Sequence, residues 1–208
     1  MSVATLFIVS AASGAGKTSL VKALLAQDKK IAVSVSHTTR DARAGEQHGK
    51  DYFFVGKVEF NRMIESGHFI EHAQVFDNNY GTSEQEVRRM LANGIDVILE
   101  IDWQGAVQVR KKFEAAVGIF IVPPSAAELR KRLEGRGKDS TEIIERRMRD
   151  AVSEMSHFGE FDYLVVNDDF EQALQELSAI VNAQRLQMKQ QKLKLEPLLS
   201  SLLATATD

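Results

Sequence analysis

Cysteine is absent from this chain of 208 residues, and proline is scarce, with three. The lack of cysteine excludes disulfides, a thiolate nucleophile and a thiolate metal site. No apolar run approaches the ~20 residues that a membrane-spanning helix needs. Residues 1–5 also lack the basic start and long apolar core of a signal peptide. We therefore expect a cytoplasmic protein with no membrane partner.

An excess of positive charge is also missing. The chain has 26 lysines and arginines against 29 acidic residues, a net charge of -3, whereas a general nucleic-acid binder is usually basic. We therefore expect no nucleic-acid partner. A hydrophobic content of 44% is ordinary for a globular protein, and the length fits one large domain or one domain with insertions.

The stretch from residue 6 to residue 25 predicts a strand, a tight loop and a helix. Leu6 to Val9 form a continuous apolar run, which is typical of a strand buried in a parallel sheet. Ten residues follow, nearly all small, with one lysine: Ser-Ala-Ala-Ser-Gly-Ala-Gly-Lys-Thr-Ser. Leu20, Leu24 and Leu25 then recur at helical spacing.

This order predicts a loop that binds nucleotide phosphates, because a helix amino end carries unpaired N–H groups and partial positive charge. Gly14 and Gly16 let backbone N–H groups close around phosphate oxygens. Lys17 would reach the β- and γ-phosphates, and Thr18 would be a ligand of Mg²⁺. Ala11 replaces the usual first glycine. Alanine fits there only with a negative φ, so the flanking strand and helix support the assignment.

The rest of the chain alternates between strands and helices. We predict strands at residues 31–36, 51–55, 69–76, 96–102, 118–122 and 162–167. We predict helices at 58–66, from 83 to about 93, at 103–113 and from 125, and a last helix from 170 that runs past Gln184 until Pro197. Residues 37–50 are predicted to be a loop and 78–82 a turn. Residues 36–82 therefore form a mixed, β-rich insertion in an α/β chain.

Arginines cluster in two places. Arg40 and Arg43 lie in the predicted loop, and residues 130–149 hold six more arginines around Gly135-Arg136-Gly137. That second segment predicts a two-helix flap with a glycine hinge. Basic runs are usually solvated surface. Beside a phosphate loop, however, we interpret both groups as clamps on phosphates, because arginine suits bidentate phosphate contacts.

Two other motifs suggest different functions. Asp102-Trp103-Gln104-Gly105 fits the D-x-x-G switch of a signalling GTPase, but residues 167–170 lack the lysine of the guanine-reading motif of that class. His68-Phe69-Ile70-Glu71-His72 matches the H-x-x-E-H pattern of zinc peptidases. That chemistry needs a helix, whereas these residues predict a strand, on which positions 68 and 72 are ~13 Å apart.

Eight motifs together resemble the guanylate kinase family, in order from Leu6 to about Ala183. They are S-x-x-SGAGKT (10–18), SHTTR-x-x-R (36–43), GKDY (49–52), FIEH (69–72), NYGT (79–82), DWQG (102–105), RLEGRG (132–137) and VNDD (166–169). The resemblance implies an α/β, three-layer P-loop NTPase fold with a central parallel sheet, an inserted mixed β-rich GMP-binding region and a helical lid. It also implies transfer of a phosphoryl group from MgATP to GMP and dGMP.

The resemblance implies a division of the chain and a set of site residues. The core would be 1–35, 83–125 and 157–190, the GMP-binding region 36–82, the lid 126–156, and the tail 191–208. ATP would be bound by Ala11, Ala12, Ser13, Gly14, Ala15, Gly16, Lys17, Thr18, Arg132, Arg136 and Asn167. GMP would be bound by Ser36, Arg40, Arg43, Tyr52, Glu71, Tyr80, Thr82, Glu100 and Asp102. The catalytic residues would be Lys17, Arg40, Asp102, Arg136 and Arg147.

The chemistry of guanine agrees with this assignment. Guanine presents N1–H and N2–H₂ as adjacent donors, which an ionised Glu71 would accept together, whereas adenine has a lone pair at N1. Sites that accept hydrogen bonds in this way discriminate between two such bases by a factor of ~10⁴ or more. Two points stay open: a catalytically silent module that keeps the fold and binds a phosphopeptide, and self-association through the apolar C-terminal tail.

Overall fold

The centre of the molecule is a sheet of five parallel strands. The structure is a computed structural model, and it describes residues 4–75, 77–135 and 140–204. The strands of this sheet lie in the order β2-β7-β1-β8-β9. Their bounds are β1 Leu6–Ala11, β2 Ile31–Val33, β7 Asp96–Glu100, β8 Val117–Val122 and β9 Tyr163–Val166. The sheet confirms the predicted α/β class with a parallel core.

Strand β1 is central because its side chains are apolar on both faces. Phe7 and Val9 pack into one hydrophobic core, and Leu6 and Ile8 pack into the other. All four residues are at most 4% exposed. Alternate side chains of a strand point to opposite faces, so one short apolar run supplies the middle of both cores.

Helices cover both faces of the sheet and make the fold three layers deep. Helices α1 (Lys17–Gln27) and α7 (Phe170–Arg185) pack on one face, and α3 (Glu84–Ala92) and α4 (Trp103–Lys112) pack on the other. The side chain of Ser83 caps α3 by accepting a hydrogen bond from Glu86 N, as the Ser-x-x-Glu pattern predicts. Phe170, the first residue of α7, is 37% exposed.

The inserted region folds as a second, mixed sheet in the order β4-β3-β6-β5. Its elements are β3 His37–Thr38, β4 Phe53–Phe54, α2 Lys57–Glu65, β5 Phe69–Val75 and β6 Asn78–Ser83. Two predictions were wrong here. Residues 37–38 form a strand instead of the start of a loop, and 78–82 form most of β6 instead of a turn. Antiparallel pairing with β5 holds this polar segment extended.

Two helices make up the predicted flap: α5 (Ala126–Glu134) and α6 (Thr141–Met155). Ser125, at which a helix was predicted to begin, caps α5 by accepting a hydrogen bond from Glu128 N. Leu129 and Leu133 of α5 and Ala151 of α6 share a small core with Ala12 of the first loop. Both helices are therefore packed against the loop after β1. The predicted hinge falls partly outside the described residues, which end at Gly135 and resume at Ser140.

The C-terminal segment differs from the prediction of one continuous helix. Helix α7 ends at Arg185, α8 spans Met188–Lys194 and α9 spans Glu196–Ala204. Pro197 lies in the first turn of α9, where proline is tolerated because no N–H donor is needed there. It therefore begins a helix instead of interrupting one. In the part of the chain that the structure describes, no helix has the length and apolar character to cross a membrane.

Candidate active site

The loop between β1 and α1 has the geometry of a phosphate-binding loop. Ala11 is the last residue of β1, paired with Ile121 in register, so it has the extended backbone that alanine adopts without strain. Gly14 and Gly16 have φ values of 93° and 97°, in the left-handed region that favours glycine. Helix α1 then begins at Lys17.

The side chain of Asn167 packs against this loop and is hydrogen-bonded to it. The side chain of Asn167 is 5% exposed, and its Nδ2 donates a hydrogen bond to Ala15 O at 2.7 Å. A Cβ atom on Gly16 would lie 2.1 Å from the same Nδ2. The loop therefore requires glycine at position 16 for two reasons, its positive φ and the close approach of this amide.

Lys17 lies where two cavities meet. The first cavity, of about 300 Å³, is lined by the loop residues and by Glu154 of α6. The second, of about 250 Å³, is lined by Lys17 together with Glu71, Glu100 and Asp102. Burial lowers the pKa of the Lys17 ammonium, and the charges of Glu100, Glu154 and Asp102 act in the opposite direction. One cation thus faces both cavities.

Thr18 and Glu100 present two hard oxygen donors beside the loop. Thr18 Oγ1 donates a hydrogen bond to Glu100 Oε2 at 3.1 Å. Among the described residues, there is no group of three or more His, Cys, Asp or Glu side chains able to hold a metal. Mg²⁺ is usually bound by one or two side chains together with substrate phosphates and water, so this pair fits it.

The second cavity brings most of the predicted acceptor residues together. Besides Lys17, its lining contains Ser36, Tyr52, Glu71, Ala73, Tyr80, Glu100, Ile101 and Asp102. These residues come from the second sheet and from the carboxyl end of β7. Such strand ends are where open α/β sheets bind ligands. The side chain of Asp102 also caps α4 by accepting a hydrogen bond from Gly105 N at 2.8 Å.

Glu71 is a buried carboxylate in this cavity, with 4% exposure. Thr82 Oγ1 donates to Glu71 Oε1 at 2.6 Å, and Ser36 Oγ lies 3.4 Å from Thr82 Oγ1. Burial raises the pKa of Glu71 to about 7, against the hydrogen bond from Thr82. A ligand that offers two donors to this carboxylate would stabilise its ionised form.

Arg40 lies near the aromatic residues of the cavity. Its guanidinium pairs with Glu46 at 2.9 Å and lies 5.4 Å from the centre of the Tyr52 ring. Hydrogen bonding to Glu46 raises the pKa of Arg40, and Tyr80 contributes in the same direction. Arg43 differs: its residue is exposed, and its backbone N–H donates to Glu46 at 2.8 Å.

The predicted lid arginines have different positions. Arg132 Nε donates to Glu128 at 3.0 Å, and its Nη2 donates to the backbone carbonyl of Asn167 at 3.0 Å. Arg132 is therefore linked through Asn167 to the phosphate loop. Arg147 lies on α6 and is half-buried. Arg136 lies outside the described residues.

Two acidic residues near the site were missed from the sequence. Glu46 accepts both the Arg40 guanidinium and the Arg43 backbone N–H, and Glu154 lines the phosphate-loop cavity. Glu46 lies three residues after Arg43, a spacing that could have suggested a local bond. Nothing in the sequence around Glu154 indicates its place, because it depends on how α6 packs.

The two alternative motifs do not form the sites they suggested. Residues 69–72 of the zinc-peptidase pattern lie in strand β5, so the two histidines do not share a helical face. Asp102 of the D-x-x-G pattern caps α4 and faces the second cavity. The fold and the site instead define a P-loop phosphotransferase: a phosphate loop, an adjoining acceptor cavity and a pair of helices packed over the loop.

Comparisons with known proteins identify the family. A sequence profile described as "Guanylate kinase" matches residues 3–184. The guanylate kinase of Chromohalobacter salexigens is 58% identical over 204 residues, covering 98% of this chain and 95% of that protein. The guanylate kinase of Escherichia coli K12 is 55% identical over 206 residues, covering 98% and 100%.

A solved structure agrees. The crystal structure of guanylate kinase from Anaplasma phagocytophilum has a TM-score of 0.74 and 37% identity, and the match covers 90% of this chain and 89% of that one. This chain therefore belongs to the guanylate kinase family, whose members phosphorylate GMP with ATP to give GDP.

Proposed function

We propose that Lys17 is the point at which the two nucleotides meet in this enzyme. The observation that carries the proposal is that Lys17 lines both the phosphate-loop cavity and the acceptor cavity. ATP would bind with its phosphates in the first, and GMP or dGMP would bind in the second. The Lys17 ammonium would then neutralise charge on the phosphoryl group in transit.

On the ATP side, residues 11–18 would surround the phosphates with backbone N–H groups at the start of α1. Asn167, which holds the loop through Ala15, would also approach the adenine. Arg132, Arg136 and Arg147 of the predicted lid (126–156) would neutralise the phosphate chain. The contact of Arg132 with Asn167 O supports a role near the adenine end of this site.

Magnesium would be held at Thr18, whose hydroxyl is hydrogen-bonded to Glu100. The hydroxyl of Thr18 and the carboxylate of Glu100 provide oxygen donors of the kind this ion takes, 3.1 Å apart. When bound, the ion would offset the negative charge of the phosphates. The side chains of this chain would fix its position relative to the phosphate loop.

On the GMP side, Glu71 would read the base. Its carboxylate is buried and accepts a hydrogen bond from Thr82, whose hydroxyl lies within reach of Ser36. The guanine N1–H and N2–H₂ donors would pair with the ionised carboxylate. Adenine would place a lone pair against the same carboxylate, which costs binding because a buried acceptor is left unpaired.

The GMP phosphate would be bound by Arg40, Arg43, Tyr52 and Tyr80. Arg40 lies near both the Tyr52 ring and Tyr80, which supports its place in this group. Phosphate binding would compete with Glu46 for the Arg40 guanidinium. Arginine is suited to this exchange because its planar guanidinium donates to carboxylate and to phosphate oxygens in similar geometry.

The reaction needs no general base, because the GMP phosphate is already an anionic nucleophile. Catalysis would rest on in-line placement of the two nucleotides, on charge from Lys17, Arg40, Arg136 and Arg147, and on exclusion of water by the lid. Asp102 would lie between the nucleotides, at the wall shared with Lys17. Residues 36–82 would bind GMP, and the core would hold ATP.

A coupled assay of ADP release tests this proposal. We expect rapid release with ATP plus GMP or dGMP, and a rate ~10⁴-fold lower with AMP. Equal rates with GMP and AMP would contradict the role of the acceptor cavity. If neither GMP nor AMP leads to ADP release while GMP still binds, the chain is instead the catalytically silent binding module.

A further inference from the structure

Glu154 has no part in the reaction described above, although it lines the cavity of the phosphate loop. It lies in the last turn of α6, one residue before the helix ends at Met155. Its residue is half-buried. The other residues that line this cavity all belong to the stretch 11–19. Glu154 is therefore a carboxylate that a different element inserts into an anion-binding loop.

Packing of α6 holds Glu154 at this place. Ala151, one turn earlier on α6, is 1% exposed and packs with Ala12 of the loop. Met148 and Met155 pack against the same small core. Residues three and four apart share one helix face, so the face that carries Ala151 against the loop also carries Glu154.

Two groups that would bind phosphate, the Ser13 N–H and the Lys17 ammonium, also act on this carboxylate. The backbone N–H of Ser13 faces Glu154, and the Lys17 ammonium lies near enough to lower its pKa, although burial raises that pKa more. In return, the charge of Glu154 raises the pKa of Lys17. The negative charges of Asp102 and Asp150 act in the same direction as burial and raise the pKa of Glu154.

We propose that Glu154 is an intramolecular competitor of the ATP phosphate chain and sets the affinity of the phosphate loop for ATP. The proposal rests on the placement of ATP phosphates in this loop. Like charges in one partly dehydrated cavity repel strongly. ATP phosphates must therefore compete with the carboxylate for the Ser13 N–H and for the charge of Lys17.

Substitution Glu154→Gln tests the proposal because it removes the charge and keeps the shape. We expect the Kd of ATP to fall roughly tenfold, measured by calorimetry. The Kd of tripolyphosphate, which has the phosphate chain without the nucleoside, should fall by a similar factor. The Kd of GMP should stay unchanged. Unchanged or weaker binding of tripolyphosphate would overturn the proposal.

Two matched variants separate charge from structure. Glu142→Gln removes a carboxylate from the first turn of the same helix, twelve residues or about 18 Å away along its axis, and should leave all three affinities unchanged. Glu154→Asp retains the charge and should keep ATP affinity within about twofold of the parent chain. Tightening by the aspartate variant would show that shape, not charge, is responsible.

The outcome of this experiment is distinct from failure of the proposed function. If the parent chain binds neither ATP nor tripolyphosphate, the phosphate loop is not an ATP site and the proposed function itself fails. A parent chain that binds both, with no gain in Glu154→Gln, would overturn the role of Glu154 alone. Should Glu154→Gln unfold, Glu154→Ala gives the same test, because it removes the same charge and should also tighten tripolyphosphate binding.

Discussion

Replacement of Glu71 by glutamine should stabilise the fold at alkaline pH. Burial raises the pKa of Glu71 from 4.5 to about 7. Between these values the folded protein binds a proton that the unfolded chain releases, so the wild-type free energy of unfolding falls as pH rises. A shift of this size corresponds to about 3 kcal/mol in total. Glutamine is neutral throughout and lacks this penalty.

Urea denaturation at pH 5 and pH 8 measures the effect. Most of the 4.5 to 7 range lies between these two pH values, so the stability of Glu71→Gln relative to the parent should rise by about 2 to 3 kcal/mol from pH 5 to pH 8. That corresponds to roughly 5 to 10 °C in Tm for a chain of this length. Thr82 can still donate to the glutamine oxygen, so Glu71→Gln and the parent should differ little in their free energy of unfolding at pH 5.

The control is Glu65→Gln, which removes a carboxylate from an exposed position at the end of α2. It should show no pH-dependent gain. A difference between Glu71→Gln and the parent that is the same at both pH values would contradict the prediction, because it would mean that Glu71 titrates alike in the folded and unfolded states.

Three further predictions concern nucleotide binding and turnover. Lys17→Ala should lower kcat by roughly 10²-fold or more with Tm preserved, whereas Lys29→Ala at an exposed position should not; near-normal turnover of the Lys17 variant would contradict its place between the cavities. Gly16→Ala should weaken ATP more than tenfold in calorimetry and spare GMP, because the new Cβ meets Asn167 at 2.1 Å and the backbone has φ 97°; equal losses would contradict this. Arg40→Ala should weaken GMP by 10- to 100-fold and leave guanosine unchanged, since it removes a phosphate contact; a matching loss of guanosine binding would show another role.

The core elements could be predicted from the sequence because local pattern and tertiary position agree there. The apolar run at Leu6–Val9 is buried on both faces, and Ser83 and Ser125 cap helices where the pattern places them. The small core beneath the lid, by contrast, depends on residues far apart in the chain, such as Ala12 and Leu129. No local pattern indicates such a contact.

Two of the wrong predictions, at residues 78–82 and at Pro197, have clear physical causes. Asn78 and Gly81 are typical of turns, but pairing with β5 satisfies their backbone groups and holds them in a strand. Proline usually marks the end of a helix, but Pro197 lies in the first turn of α9, where it is accommodated. In both cases a residue's local preference allows more than one structure, and its neighbours determine which one forms.

The acceptor residues were predicted from motifs that resemble those of the guanylate kinase family, and the structure brings Ser36, Tyr52, Glu71 and Tyr80 to one cavity. Their roles stay predictions. Glu154 was not predicted, because a glutamate near the end of a helix is usually solvated. Its importance follows only from the way Ala151 packs against Ala12.

The most direct test of the account is a crystal structure of this protein with GMP. We expect guanine N1 and N2 within about 3.2 Å of the Glu71 carboxylate oxygens, and the GMP phosphate beside Arg40 and facing Lys17. GMP bound in any other cavity, or with its base turned away from Glu71, would contradict the claim that this buried carboxylate selects guanine.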